Sequence, residues 1–262
     1  MFMQRLWRLS IDWKYPLPKK VYDQWHQLLI GLESLNNIHI QRRVVIENPT
    51  SIEIHGFSDA SERCYGAAVY CKSKNNSGVT LVRLITSKSR VSPIKSLTIP
   101  RLELCAAVLL SKLVKRVIDA LKLESVKVYL WTDSMIVLSW LQKEPMDLKT
   151  FVQNRIAKLQ DLFPVRQWKH VPSNQNPADL ISRGVDPDKL LNQEMWWNGP
   201  EFLSGSDYPN KPVNISENND AYNSELKNSV LEKLENEVPV FNIFVRKQPE
   251  EEGQSQWPTN SR

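Results

Sequence analysis

Phe57-Ser58-Asp59-Ala60-Ser61 and Leu130-Trp131-Thr132-Asp133-Ser134 decide the reading of this chain. Each closes an apolar, strand-like run on an aspartate. Between them, Pro100-Arg101-Leu102-Glu103-Leu104-Cys105-Ala106-Ala107 opens a long helical pattern with a carboxylate in its first turn. A fourth acid follows in Asn176-Pro177-Ala178-Asp179. Acids at strand ends and a helix start are poorly explained as packing. They are well explained as hard oxygen ligands for a divalent cation.

Working outward, residues 51–58, 65–72 and 79–87 alternate as three strands, with Gly66 and Lys74-Asn75-Asn76-Ser77-Gly78 supplying turn chemistry. Pro100 begins a helix of about 22 residues, as helix starts prefer. Val126–Trp131 is a fourth strand, 133–142 and 150–163 are helices, Val165–Val171 is a fifth strand, and 177–182 is a short helix ending at Gly184. The order βββαβααβα predicts an α/β fold: a mixed five-stranded sheet with helices packed on it. A strand, a crossover helix and a parallel strand put both strand ends on one side of a sheet. Asp59 and Asp133 are therefore expected side by side, where ligand sites in such sheets lie. Glu103 shares a helix stripe with Ala107, Leu110 and Val114, an uncomfortable place for an unpaired charge. Two unit charges 4 Å apart repel by about 4 kcal/mol at an effective dielectric near 20. A divalent ion reverses the sign of that term.

The net charge of +5 hides an asymmetry. From Val185 onward there are 14 acids and 7 bases, and before it 15 acids and 27 bases. A basic body around an acid cluster suggests a polyanionic substrate. Cys64, Cys71 and Cys105 are too few and too irregular for a disulfide framework or a zinc site, and read as reduced packing residues of an intracellular protein. No apolar run is long enough to span a membrane. Residues 1–45 carry Trp7, Trp13, Trp25 and a helix from Lys19 to Leu35, and read as a packing segment. Residues 186–262 are polar and Asn-rich, with Trp196-Trp197-Asn198-Gly199-Pro200-Glu201-Phe202 as a docking segment; 205–262 reads as linker or disorder with a weak helix around 224–236.

At these motifs the chain resembles type 1 ribonucleases H, and specifically the ribonuclease H region of Pao/BEL-type LTR retrotransposon polyproteins. The resemblance is carried by residues 57–61 with Tyr65-Gly66-Ala67-Ala68-Val69-Tyr70, then 87–95, 99–107, 131–134 and 170–184. It implies a ribonuclease H-like domain over 46–185. The first 45 residues resemble the trailing edge of an upstream reverse transcriptase, and 186–262 the lead-in to an integrase. It further implies a hydrolase that cuts the RNA strand of RNA–DNA hybrids with two Mg²⁺ ions, or Mn²⁺ in their place. Asp59 resembles the aspartate that bridges the two ions, Glu103 and Asp133 complete the first site, and Asp179 resembles the acid holding the second. His170 resembles the mobile-loop histidine that assists turnover; the spacing Asn176 to Asp179 is one residue shorter than in that pattern. Lys88, Arg90, Lys95 and Arg101 are expected to contact phosphates, joined by Ser134, Asn154 and Arg155. An intracellular place follows, in the cytoplasm, in virus-like particles or in the nucleus.

Three rival readings are weighed. An aspartic peptidase needs an Asp-Thr/Ser-Gly turn, but Met135 follows Asp133-Ser134 and Ala60 follows Asp59. A DDE-type integrase takes its glutamate late in the domain, whereas Glu103 lies between the two strand aspartates. The third is a catalytically silent nucleic-acid-binding module of a retrotransposon-derived polyprotein, disfavoured by the presence of all four acids.

Overall fold

The computed structural model describes residues 14–123, 125–214 and 219–231, with Leu6, Leu9, Ile11 and Asp12. Strands β1 (Pro49–Ala60), β2 (Cys64–Asn75) and β3 (Thr80–Val91) form an antiparallel meander. Strands β4 (Lys127–Thr132) and β5 (Trp168–His170) add to it in parallel, so the sheet runs β3-β2-β1-β4-β5. This is the mixed five-stranded α/β sheet that the sequence predicts. The fifth strand is shorter than expected, because Val165–Gln167 turns as a 3-10 helix before it.

Helix α1 (Lys19–Leu32) precedes the sheet, and α2 (Ile99–Leu121) makes the crossover between β3 and β4. Leu102, Ala106, Leu110, Val114 and Val117 of α2 are buried, which is the stripe expected of a helix laid on a sheet. The approach is close at Gly56 of β1, where a Cβ atom would lie 2.6 Å from Leu110 Cδ1. Helices α3 (Met135–Leu141) and α4 (Thr150–Leu162) pack beside α2, with Trp140 and Ile156 fully buried. Helix α1 contributes no buried residue, so the expected packing segment is an exposed helix, with Gly31 resting against Pro187.

The opposite face of the sheet is covered by the chain after β5. Helices α5 (Asp179–Arg183), α6 (Pro187–Leu190) and α7 (Glu194–Asn198) lead into a strap in which Leu203 is fully buried. Phe57, Tyr70 and Trp131 meet Phe202, Leu203 and Tyr208 in one apolar cluster. With both faces covered, His55 to Asp59 of β1 are buried without a break. A polar latch completes the strap. The Tyr208 hydroxyl donates to the Glu53 carboxylate, and the Lys72 ammonium donates to the Gly205 carbonyl and to the Tyr208 hydroxyl, the last at 2.7 Å. A hydrogen bond from His55, above all, holds the Glu53 carboxyl down at about 2, with Tyr208 assisting against the upward pull of burial.

The expectation of a linker from 186 therefore gives way to packed chain through much of 186–227. Composition undercounted the segment because a few side chains, Phe202, Leu203, Tyr208 and Leu226, supply its burial. Helix α8 (Asp220–Asn223) follows, and Leu226 bridges to Leu148 as a short antiparallel pair. The weak helix expected around 224–236 starts at 228 in the described residues, and 232–236 lie outside them.

Candidate active site

The register of β1 and β4 decides the site. Phe57 pairs with Trp131 and Ser58 with Thr132, so Asp59 and Asp133 emerge next to each other at the carboxyl end of the sheet. Glu103 comes from the second turn of α2, not the first as the sequence suggests, since the helix begins at Ile99, and Asp179 comes from the start of α5. All four predicted acids thus share one end of the fold, although 120 positions separate the first from the last.

Their electrostatics carry the cost of that gathering. Asp59 is 7 % exposed, and burial, chiefly, pushes its carboxyl up to about 7. The Ser182 hydroxyl pulls it back, while the charges of Asp133, Asp179 and Glu103 push it further. Burial also raises Glu103, against a hydrogen bond from Ser134 and with the Asp133 charge adding to the rise.

Three of the four carboxylates are held by partners within the chain. Ser182 donates to Asp59 Oδ2, Ser134 donates to Glu103 Oε2, and Arg183 Nε pairs with Asp179 Oδ1 at 2.5 Å. Asp133 Oδ1 is buried with no hydrogen-bond partner among the described residues. Among those residues no three His, Cys, Asp or Glu side chains stand together as a ready cage for an ion. The chemistry of the donors nevertheless fits a hard divalent cation: the charges of Asp133, Asp179 and Glu103 all bear on Asp59, and a buried carboxylate oxygen is left without a hydrogen-bond partner.

Two residues that the sequence reading did not single out build this site. Ser182 is fully buried and lies three positions after Asp179, on the same side of α5, which was the signal available. Asn176 is also fully buried; its Nδ2 donates to the Ser58 carbonyl at 3.1 Å, and its Oδ1 accepts from Ala178 N at 3.2 Å. It ties the β1 end to the start of α5. His170 sits half-buried at the end of β5, not in a loop, and a hydrogen bond with the Asp133 backbone places it beside the acids. Burial, and then Lys211, lower its pKa.

The expected phosphate contacts divide. Lys88, Arg90 and Lys95 are exposed on the end of β3 and the following loop, and Asn154 is exposed on α4. Arg155 lies over the Phe151 ring at 3.5 Å, and both it and Arg90 act on the Tyr65 hydroxyl. Ser134 is corrected: it is 6 % exposed, its oxygen caps α3 by accepting from Val137 N, and its proton goes to Glu103, so its hydroxyl is committed inward. Arg101 is occupied in this structure, since both its bonds go to Glu225, at 2.6 and 3.0 Å.

The family model described as Pao retrotransposon-like RNaseH-like domain matches residues 1–134. The chain belongs to this family. The match takes in Asp59, Glu103 and Asp133 of this RNaseH-like domain, and it runs through residues 1–45. Among solved structures, the N-terminal ribonuclease H domain of a Mycobacterium tuberculosis protein is 18% identical, with a TM-score of 0.32 over 48% of this chain and 86% of that one. LC11 ribonuclease H1, solved with an RNA/DNA hybrid, is 17% identical, with a TM-score of 0.31 over 48% of this chain and 88% of its own. Prototype foamy virus protease–reverse transcriptase is 16% identical, with a TM-score of 0.32 over 60% of this chain and 22% of the viral one. No curated protein matches. Among the described residues of the RNaseH-like domain, no helix is long and apolar enough to cross a membrane.

One glycine makes the site sensitive to a single carbon. Gly66 pairs with Asp59 across the strands, and a Cβ atom there would lie 2.2 Å from Ile181 Cγ2 and 3.2 Å from the Lys88 carbonyl. Gly66→Ala should push α5 off the sheet and carry Ser182 and Asp179 with it. The expected result is a folded protein, destabilised by about 1–3 kcal/mol, in which cleavage of an RNA–DNA hybrid, the activity proposed below, falls far more than stability. Urea denaturation beside a cleavage assay checks this; unchanged cleavage would show that α5 does not need its present seat.

Proposed function

We propose that this domain hydrolyses the RNA strand of RNA–DNA hybrids with two divalent ions, Mg²⁺ or Mn²⁺, held by Asp59, Glu103, Asp133 and Asp179. The observation that carries the reading is Asp133 Oδ1, buried without a partner among three other carboxylates. Bound ions would generate a nucleophile from water near neutral pH and offset charge at the scissile phosphate. The chain's own part is to hold ligands still. Asn176 fixes the β1 end that carries Asp59, α2 presents Glu103, and Ser134 locks the turn after Asp133. His170, beside Asp133, assists proton or product movement. Lys88, Arg90, Lys95, Asn154 and Arg155 follow the hybrid backbone, and contacts to 2′-hydroxyls select RNA.

Membership of a Pao retrotransposon-like family supports a partner reverse transcriptase upstream and an intracellular place of action. An integrase downstream belongs to the same proposal and rests on the sequence resemblance alone. The test is cleavage of a labelled RNA–DNA hybrid by the full chain with Mg²⁺ and with EDTA, beside matched duplex DNA and duplex RNA. The expected result is cutting of the hybrid's RNA strand alone, stopped by EDTA. Cutting that survives EDTA would sink the two-ion account. Hybrid binding without cutting would make the domain a binding module, its carboxylates held for good by Ser134, Ser182 and Arg183.

A further inference from the structure

Of the five basic residues expected at phosphates, one differs from the rest. Lys88, Arg90, Lys95 and Arg155 have no ion-pair partner among the described residues, and the first three are exposed. Arg101 instead meets Glu225 in a two-point bond, Nε to Oε1 at 2.6 Å and Nη2 to Oε2 at 3.0 Å. Arg101 also lies over the Phe151 ring at 4.8 Å, the ring that Arg155 covers at 3.5 Å. The two guanidinium groups therefore share one aromatic plate, two residues along α2 from Glu103.

The acid arrives from the far end of the chain. Glu225 is 124 positions from Arg101 and 5 % exposed, and the segment carrying it is docked by other means. Lys149 N donates to the Glu225 carbonyl at 2.8 Å, Lys227 N to the Asp147 carbonyl at 2.9 Å, and Lys149 Nζ to the Ser224 carbonyl at 2.7 Å. Leu226 is fully buried. Arg101 keeps about a third of its side chain exposed while the carboxylate covers its fork. A carboxylate in two-point contact occupies the same donors, in the same plane, that a phosphate would take.

We infer that residues 219–227 form a second, autoinhibitory strap, separate from the one that carries Leu203 and Tyr208, in which Glu225 occupies in cis the arginine that would otherwise hold a backbone phosphate of the nucleic acid. The inference rests on the hybrid-binding reading above. The strap belongs to the acidic end of the chain and Arg101 to the basic body, so the contact is favoured by the overall charge division. Displacing the strap adds one cation to the strip Arg90, Arg155 and Arg101, so hybrid affinity should rise and depend more steeply on salt.

The test measures binding of the full-length chain to a fluorescent RNA–DNA hybrid in EDTA, across a range of salt. Glu225→Gln should bind about tenfold more tightly than the parent, and its slope of log affinity against log salt should steepen by about 0.7–0.9. Leu226→Asp, which undocks the strap without touching either partner of the ion pair, should give the same gain. Arg101→Gln combined with Glu225→Gln should remove it. Equal affinity and slope in parent, Glu225→Gln and Leu226→Asp, with hybrid still bound, overturn the strap and leave the hybrid-binding reading standing. Failure of both single variants to fold would make the segment a structural element and overturn the inference too. Absence of hybrid binding in every variant overturns both readings together.

Discussion

On the two-ion function proposed above, Asp59→Asn should lower hybrid cleavage by about 10³-fold or more, since a carboxylate that would hold the ions would contribute several kcal/mol to the reaction. The same variant should be more stable than the parent in EDTA at pH 8. In the folded protein, burial and three neighbouring acids raise the Asp59 carboxyl from 3.8 to about 7. Between those values the folded chain binds a proton that the unfolded chain does not, so stability falls as pH rises through this window. Above pH 7 the full penalty applies, roughly 4 kcal/mol from the size of that rise. Asparagine cannot ionise, and it can still accept the Ser182 hydroxyl. Its advantage should be largest at pH 8 and nearly gone at pH 4. Thermal melts at both values, with and without Mg²⁺, check this. Mg²⁺ should stabilise the parent and leave the variant little changed. A variant that unfolds, or that is less stable than the parent at pH 8, would make Asp59 a structural residue.

Trp131→Ala should cost about 3–5 kcal/mol, the range for removing a large aromatic from a packed core. Trp131 is fully buried, lies 5.1 Å from the Phe202 ring centre and 6.1 Å from that of Phe57, and packs against Tyr208 of the strap. Its Nε1 donates to His55 Nδ1 at 3.3 Å. His55 is itself fully buried, and burial lowers its pKa, so it sits neutral and needs that donor. Alanine would leave a cavity between sheet and strap and an imidazole nitrogen without its partner. The midpoint of thermal unfolding should fall by roughly 10 °C for a unit of this size. Trp131→Phe keeps most of the packing and loses the N–H, so it should cost about 1–3 kcal/mol. A loss near zero for alanine would mean that the strap is not part of the cooperative core. Because Asp133 lies two residues further along, cleavage should fall with stability in the alanine variant.

These two residues also show which parts of the molecule can be read from one dimension. The sequence by itself determined the mixed sheet, because strand alternation, the proline-opened helix stripe and the order of elements all act over short stretches. It marked the four acids as candidates as well, since each stands at a local landmark: Asp59 and Asp133 after apolar runs, Glu103 near a helix start, Asp179 after Asn-Pro-Ala. Only the tertiary structure decided what holds those acids. Ser182 reaches Asp59 across 123 positions and Glu225 reaches Arg101 across 124, and no local period links residues so far apart. The polar composition after 185 suggested linker, yet Leu203 and Leu226 are fully buried. A sheet with one face uncovered can bury a short apolar segment from anywhere in the chain, so the worth of those few side chains depends on the surface they meet and not on their neighbours in sequence.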